Sequence, residues 1–162
     1  MTTESTARVS AGDAQVDEPI TLIETAALEP VEYEWGAIKW ICDQKITPQS
    51  LQSFGYAYVL PGTTNPEHWH KACEEIIYML AGELTVFTDD EKERMTLAPG
   101  QTALIPRGLP HSVMNEGWEP VVYVASFSAV IRDTEFEDGD DGALHTEFSG
   151  KTGEVHGVAH LR

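Results

Sequence analysis

Positive charge is what this sequence has least of. Ten Lys and Arg stand against 27 Asp and Glu, leaving a net charge of -17. Phosphate backbones and anionic lipid surfaces are repelled by such a balance, so neither nucleic acid nor a membrane is an expected partner. Cysteine is scarce as well. Cys42 and Cys73 are the only two; they could in principle pair, but the expected state is reduced thiols in a cytoplasm. No apolar stretch approaches the ~18 residues of a membrane span. The N-terminal Met1-Thr-Thr-Glu-Ser-Thr-Ala-Arg8 lacks a basic head followed by an apolar block, so no secretion signal is read. Long stretches with a 3.6-residue period are missing too. At most a short helix is expected between Leu22 and Leu28.

What is present is enough for one domain: 162 residues, 41% of them hydrophobic. Residues 1–19 are polar and aperiodic and read as a mobile arm. Residues 133–142 are an acidic run expected to be exposed, opening a tail over 133–162. The structured part is therefore expected over 20–132. It breaks into at least eight short segments of strand character, among them Ala37–Cys42, Phe54–Leu60, Glu74–Leu80 and Val121–Phe127. Pro61-Gly62, Pro99-Gly100 and Pro106-Arg-Gly108 punctuate them. Ala81-Gly82-Glu83, between two such segments, reads as a hairpin turn. Short strands at regular spacing argue for an all-β antiparallel sandwich or barrel.

Two stretches concentrate the chemistry. Residues 62–82 hold His68, His70 and Glu75 between Gly62 and Gly82. Residues 100–115 hold His111, framed by Gly100, Pro106, Gly108 and Asn115. Imidazoles two apart on a strand point to one face, so His68 and His70 can reach the same ion. A bend brings Glu75 round to it, and His111 must arrive from a distant strand. Three neutral nitrogens and one anionic oxygen suit Fe(II), Mn(II), Ni(II), Co(II) or Zn(II), and not calcium or magnesium. On a six-coordinate ion, four protein ligands leave two positions for water, dioxygen or a chelating substrate.

These stretches resemble the paired motifs of the cupin superfamily. The first matches Gly-x5-His-x-His-x4-Glu-x6-Gly through Gly62, His68, His70, Glu75 and Gly82, and the second matches Gly-x5-Pro-x-Gly-x2-His-x3-Asn through Gly100, Pro106, Gly108, His111 and Asn115. The resemblance implies a small jelly-roll β-barrel with His68, His70, Glu75 and His111 as ligands of one divalent metal in its mouth. It implies a tendency to dimerise, so a homodimer is expected. It does not imply one reaction.

Around the ligands, Ile77 and Met79 share the parity of Glu75, and Val113 that of His111, so all three are expected to line the cavity. Glu74 and Trp69 should face away from the metal, and Cys73 should be a small buried residue. Tyr56 and Tyr58 share one strand face; inward they are candidate catalytic phenols, outward they belong to a dimer surface or lie under the N-terminal segment. Arg107, in the turn before His111, is either a candidate for a substrate carboxylate or a solvated loop residue. His145, His156 and His160 have no motif support. The expected substrate is a small, largely apolar or aromatic molecule that chelates the metal through oxygen. The favoured activity is an Fe(II)-dependent dioxygenase; alternatives are a zinc-type Lewis-acid cyclase, isomerase or lyase, and a non-catalytic ligand-binding barrel.

Overall fold

In the computed structural model of the protein, residues 20–88 and 92–136 are described. The expected arm over 1–19 and His145, His156 and His160 lie outside them. A single 3-10 turn, Thr25–Ala27, stands where a short helix was expected. Nine strands follow: β1 (Val31–Tyr33), β2 (Gly36–Cys42), β3 (Ser53–Val59), β4 (Glu75–Ala81), β5 (Leu84–Phe87), β6 (Arg94–Leu97), β7 (Thr102–Ile105), β8 (Ser112–Met114) and β9 (Val121–Phe127). The antiparallel strands form a six-stranded sheet, β1-β2-β3-β9-β4-β7, and a three-stranded sheet, β6-β5-β8. Buried side chains of both sheets make one core, with Ile77, Val121 and Ala57 from the large sheet and Leu84, Val86 and Val113 from the small one. This is the jelly-roll barrel the motifs implied.

Alternation sets the large sheet's inner face. In β4, Glu75, Ile77 and Met79 are buried while Ile76, Tyr78 and Leu80 are exposed. In β9 the buried set is Val121, Tyr123, Ala125 and Phe127. Pairing is regular across the centre: Glu75 faces Phe127 and Ile77 faces Ala125, and Gly55 of β3 faces Ala125 from the other side. A fully buried Ile or Met stabilises the fold by about 1.5–3 kcal/mol, so Ile77 and Met79 anchor the barrel floor. Gly55 sits opposite Trp40; a Cβ there would lie 3.0 Å from the indole, so glycine lets Trp40 lie across the sheet.

The expected hairpin at 81–83 is not one. β4 pairs with β7 and β9, whereas β5 pairs with β6 and β8. The chain crosses between sheets at Gly82, which has φ 75° and whose Cβ would come within 2.9 Å of the Val121 side chain. A tight hairpin and a sheet-to-sheet corner ask for the same glycine, so composition does not separate them.

The start of the acidic run also departs from expectation. Asp133, Thr134, Glu135 and Phe136 are half-buried. Trp69 and Glu135 form a β-bridge, with Trp69 N–H donating to Glu135 O at 3.1 Å. The Asp133 carboxylate accepts the backbone N–H groups of Lys71 and Ala72 at 2.6 and 2.9 Å. Residues read as tail thus strap the first motif.

Candidate metal centre

His68 and His70 lie on the extended segment before β4, Glu75 opens β4, and His111 immediately precedes β8. His68 and His111 are joined backbone to backbone, N–H to carbonyl in both directions, at 3.1 and 2.9 Å. That bridge is what brings the two motifs together. Gly108 N–H donates to His70 O at 2.8 Å, and Gly108 has φ 74°, a conformation glycine adopts without strain. Asn115, buried, donates from its amide to Val59 O and Glu119 O at 3.0 and 2.9 Å, so the last residue of the second motif clamps a loop rather than touching the site.

One ligand atom from each of His68, His70, Glu75 and His111 falls within 4.8 Å of all the others. Donors about 2.1 Å from a shared ion stand roughly 3 Å apart when adjacent and roughly 4.2 Å apart when opposite, so the cluster has nearly the dimensions of a coordination shell. The rings are held in one tautomer. His68 Nδ1 lies 3.0 Å from Pro66 O and His111 Nδ1 2.9 Å from Leu109 O, while His70 Nδ1 is in close contact with Asp133 O. A carbonyl only accepts, so each Nδ1 carries the hydrogen and each neutral ring presents an Nε2 lone pair.

Two of those lone pairs face an anion. Glu75 Oε2 is 3.2 Å from His111 Nε2 and 3.4 Å from His70 Nε2, in a setting where all three side chains are buried. Lone pairs aimed at a carboxylate repel it unless a cation or a proton lies between them. The electrostatics say the same. Burial disfavours charge on Glu75, but the positive charge that the facing His111 and His70 rings can take up outweighs it and holds the carboxyl far below its usual range. Burial alone would depress His111, yet the Glu75 carboxylate raises it. His68 is lowered to about 3 by burial and by the neighbouring His111 and His70, whose protonation would oppose its own. The three nitrogens and one oxygen therefore fit a divalent transition metal.

A pocket open to solvent contains all four donors. Val113 lines it, as expected. Ile77 and Met79 face inward and are buried, but belong to the core beneath the pocket rather than its wall. Arg107 is exposed and outside the pocket; its turn points the chain back toward His70 while leaving the side chain in solvent. Tyr56 and Tyr58 are 42% and 39% exposed on the outer face of β3, because Gly55, Ala57 and Val59 take the inner one. They are not catalytic phenols. Glu74 is exposed and Cys73 buried, as expected, and burial pushes the Cys73 thiol up to about 11.

The walls come instead from residues not singled out in the sequence. Trp35, Ile38 and Trp40 form one side, Tyr123, Ala125 and Phe127 another, and Arg132 and Phe136 close it from beyond β9. Arg132 is 5% exposed, with its guanidinium 3.3 Å from the centre of the Trp40 ring and 5.4 Å from that of Phe127. The period-two alternation of β9 could have put Tyr123 and Phe127 on one face. No local signal marks Arg132.

Comparison with known proteins agrees with this geometry. Residues 55–127 match the family described as the cupin domain. The rhicadhesin receptor of Pisum sativum is 36% identical over 88 residues, 52% of this chain and 39% of that protein. Germin-like protein 1-1 of Oryza sativa subsp. japonica is 35% identical over 89 residues, 53% of this chain and 40% of that protein. The chain thus spans about two fifths of the length of these curated relatives. Among solved structures, an oxalate decarboxylase of Lactobacillus farciminis in complex with formate superposes with a TM-score of 0.61 at 28% identity, covering 68% of this chain and 34% of that one. A recombinant oxalate oxidase in complex with glycolate gives 0.58 at 28% identity, covering 65% of this chain and 56% of that one.

Proposed function

We propose that this chain, a cupin by the match of residues 55–127 and by its likeness to germin-like proteins and oxalate decarboxylases, is a mononuclear transition-metal enzyme acting on a small organic molecule that chelates through oxygen. The observation that carries this is the convergence of His68, His70, His111 and Glu75, one ligand atom of each within 4.8 Å of all the others, inside an open pocket. His68, His70, Glu75 and His111 would hold the ion, which when bound supplies Lewis acidity and, if it is iron, one-electron chemistry. The chain's own residues do the rest. The carbonyls of Pro66, Asp133 and Leu109 fix the ring tautomers. Glu75 stays ionised and offsets part of the cation's charge. Trp35, Trp40 and Phe127 give the substrate an apolar wall that displaces water.

Fe(II)-dependent oxygenation of such a substrate is the reading we favour; similarity to an oxalate oxidase supports redox chemistry on a small chelating molecule. Likeness to an oxalate decarboxylase supports a second reading, carbon–carbon cleavage without net oxidation. Loading the protein anaerobically with Fe(II), Mn(II) or Zn(II) and following oxygen uptake and carbon dioxide release over a panel of enols, catechols and small carboxylic acids separates the two. Oxygen consumption with iron alone supports the first. Turnover with zinc, or carbon dioxide release without oxygen uptake, supports the second. No turnover with any metal leaves a ligand-binding barrel.

We also propose a homodimer. The outer face of the large sheet carries Tyr56, Tyr58, Ile76, Tyr78, Leu80 and Leu104, all exposed and adjacent through the β3–β9–β4–β7 pairings. A stable interface buries about 800 Å² per partner, which four strands of such residues can supply. A monomer in sedimentation at micromolar concentration would remove this proposal. Free Cys42 and Cys73 support a reducing, cytoplasmic setting. Among the described residues no helix is long and apolar enough to cross a membrane.

A further inference from the structure

Among the polar side chains of the pocket that metal binding does not use are Arg132 and Tyr123. Arg132 is buried, 5% exposed, beyond the end of β9. Tyr123 is 3% exposed on the inner face of β9. Both line the cavity that contains the four donors. Arg132 lies with its guanidinium 3.3 Å over the Trp40 ring, so one face of the group is covered by indole. The N–H donors of a guanidinium lie in its plane, so the indole contact on its face does not occupy them. The hydrogen bonds among the described residues do not include the Tyr123 hydroxyl. Burial, the Glu75 charge and, in the opposite sense, Arg132 set its pKa, with a net upward shift, so it remains a donor throughout the accessible pH range.

Charge points the same way. Among the pocket residues other than the histidines, Glu75 and Arg132 are the charged ones. A divalent ion near Arg132 would add positive charge to this interior, inside a protein whose formal charge is -17. Such a cavity favours an anion, and the Trp40 and Phe127 rings beside the guanidinium favour an apolar body attached to it.

We propose that Arg132 and Tyr123 form an anion-recognition pole, and that the substrate is a small carboxylate with an apolar or aromatic body. The proposal rests on the metal-enzyme reading above and names its substrate class. The carboxylate accepts from the Arg132 edge and the Tyr123 hydroxyl while another oxygen of the same molecule reaches the metal side of the pocket. Both residues are specificity determinants for the proposed reaction, distinct from the ligand set.

The test is calorimetric titration of the zinc-loaded full chain with phenylacetate and mandelate, each against its neutral amide. The expected result is a preference for the carboxylate of about tenfold or more, in line with charge-assisted hydrogen bonds. Arg132→Met should abolish the preference, and Tyr123→Phe should reduce carboxylate binding severalfold, with one zinc per chain in every variant. If Arg132→Met does not fold, Arg132→Lys and Tyr123→Phe decide: each should weaken carboxylate binding and leave amide binding unchanged. Equal or absent binding of acid and amide by the parent protein overturns the proposal, as does a preference that survives both substitutions. Failure of the metal reading looks different. Zinc uptake would then be missing, while the metal-free chain would still show an Arg132-dependent preference for the acid.

Discussion

On the inner face of β3, β4 and β9 stand Gly55, Ala57, Glu75, Ile77, Tyr123 and Phe127, and on the outer face of the same strands stand Tyr56, Tyr58, Ile76, Tyr78, Leu80 and Val124. Both faces are apolar and aromatic, and the outer has more tyrosines. Yet the inner one carries a carboxylate held far below its usual pKa range, and the outer holds exposed rings with no metal ligand beside them. Hydrophobicity alone does not separate a pocket wall from an association surface. A buried charge with convergent lone pairs does, because it is tolerable only where a cation or proton compensates it.

The largest expected break in the comparison is on the inner side. His111→Ala removes a donor and the partner of Glu75, and metal affinity should fall by more than the 10–100-fold typical of losing an outer supporting residue. Elemental analysis gives the occupancy, and an unchanged far-UV CD spectrum shows the barrel still folded; full occupancy would contradict the assignment.

Acid should act on the same group. His111 has its pKa raised above 6.5, so a proton competes for its Nε2 as pH falls through and below neutrality. Glu75 is depressed and stays ionised, and His68, at about 3, stays neutral, so neither is the first to fail. Metal affinity should drop roughly tenfold per pH unit for each displaced proton, with release complete by about pH 5. Equilibrium dialysis across pH 5 to 8 measures this, and retention well below pH 5 would count against the site.

A paired substitution sharpens the contrast between faces. Ile77→Ala, buried and inward, should cost about 2–5 kcal/mol of stability. Tyr78→Ser, its exposed neighbour, should change protomer stability by only about 0.5 kcal/mol but shift the monomer–dimer balance toward monomer. Chemical denaturation and sedimentation read the two effects separately. A smaller loss is expected from Asp133→Ala, which frees the Lys71 and Ala72 amides from their carboxylate. The loop presenting His70 should loosen and metal affinity fall about tenfold. The smallest effect belongs to Tyr56→Phe, which should leave metal content and turnover unchanged.

The ligand set was legible because its chemistry is in the residue types: three imidazoles and a carboxylate between glycines have few other uses. Most strands were legible from period-two patterning and the Gly and Pro residues that punctuate them; β1, three residues long, is too short to show a period. Tyr56 and Tyr58 were left with two orientations because alternation gives relative sides only, and the small Gly55 and Ala57 turn out to be the inward pair, under Trp40 and beside β9. The Gly82 corner was misread as a hairpin because which strand pairs with which is a long-range fact. Asp133 and Arg132 were missed for a related reason. An acidic run and a lone arginine look solvated until the chain folds back over the first motif.

Sequence by itself determined the donor atoms, the β architecture and the positions where only glycine serves. Tertiary structure decided which face of each strand is interior, where β4 hands the chain to the second sheet, and that Arg132 and Tyr123 share a cavity with the four candidate donors. The reason is physical. Donor chemistry and side-chain parity are properties of a residue and its immediate neighbours, whereas the sign of a face and the company a buried charge keeps depend on contacts between segments far apart in the chain, fixed only when the two sheets close on each other.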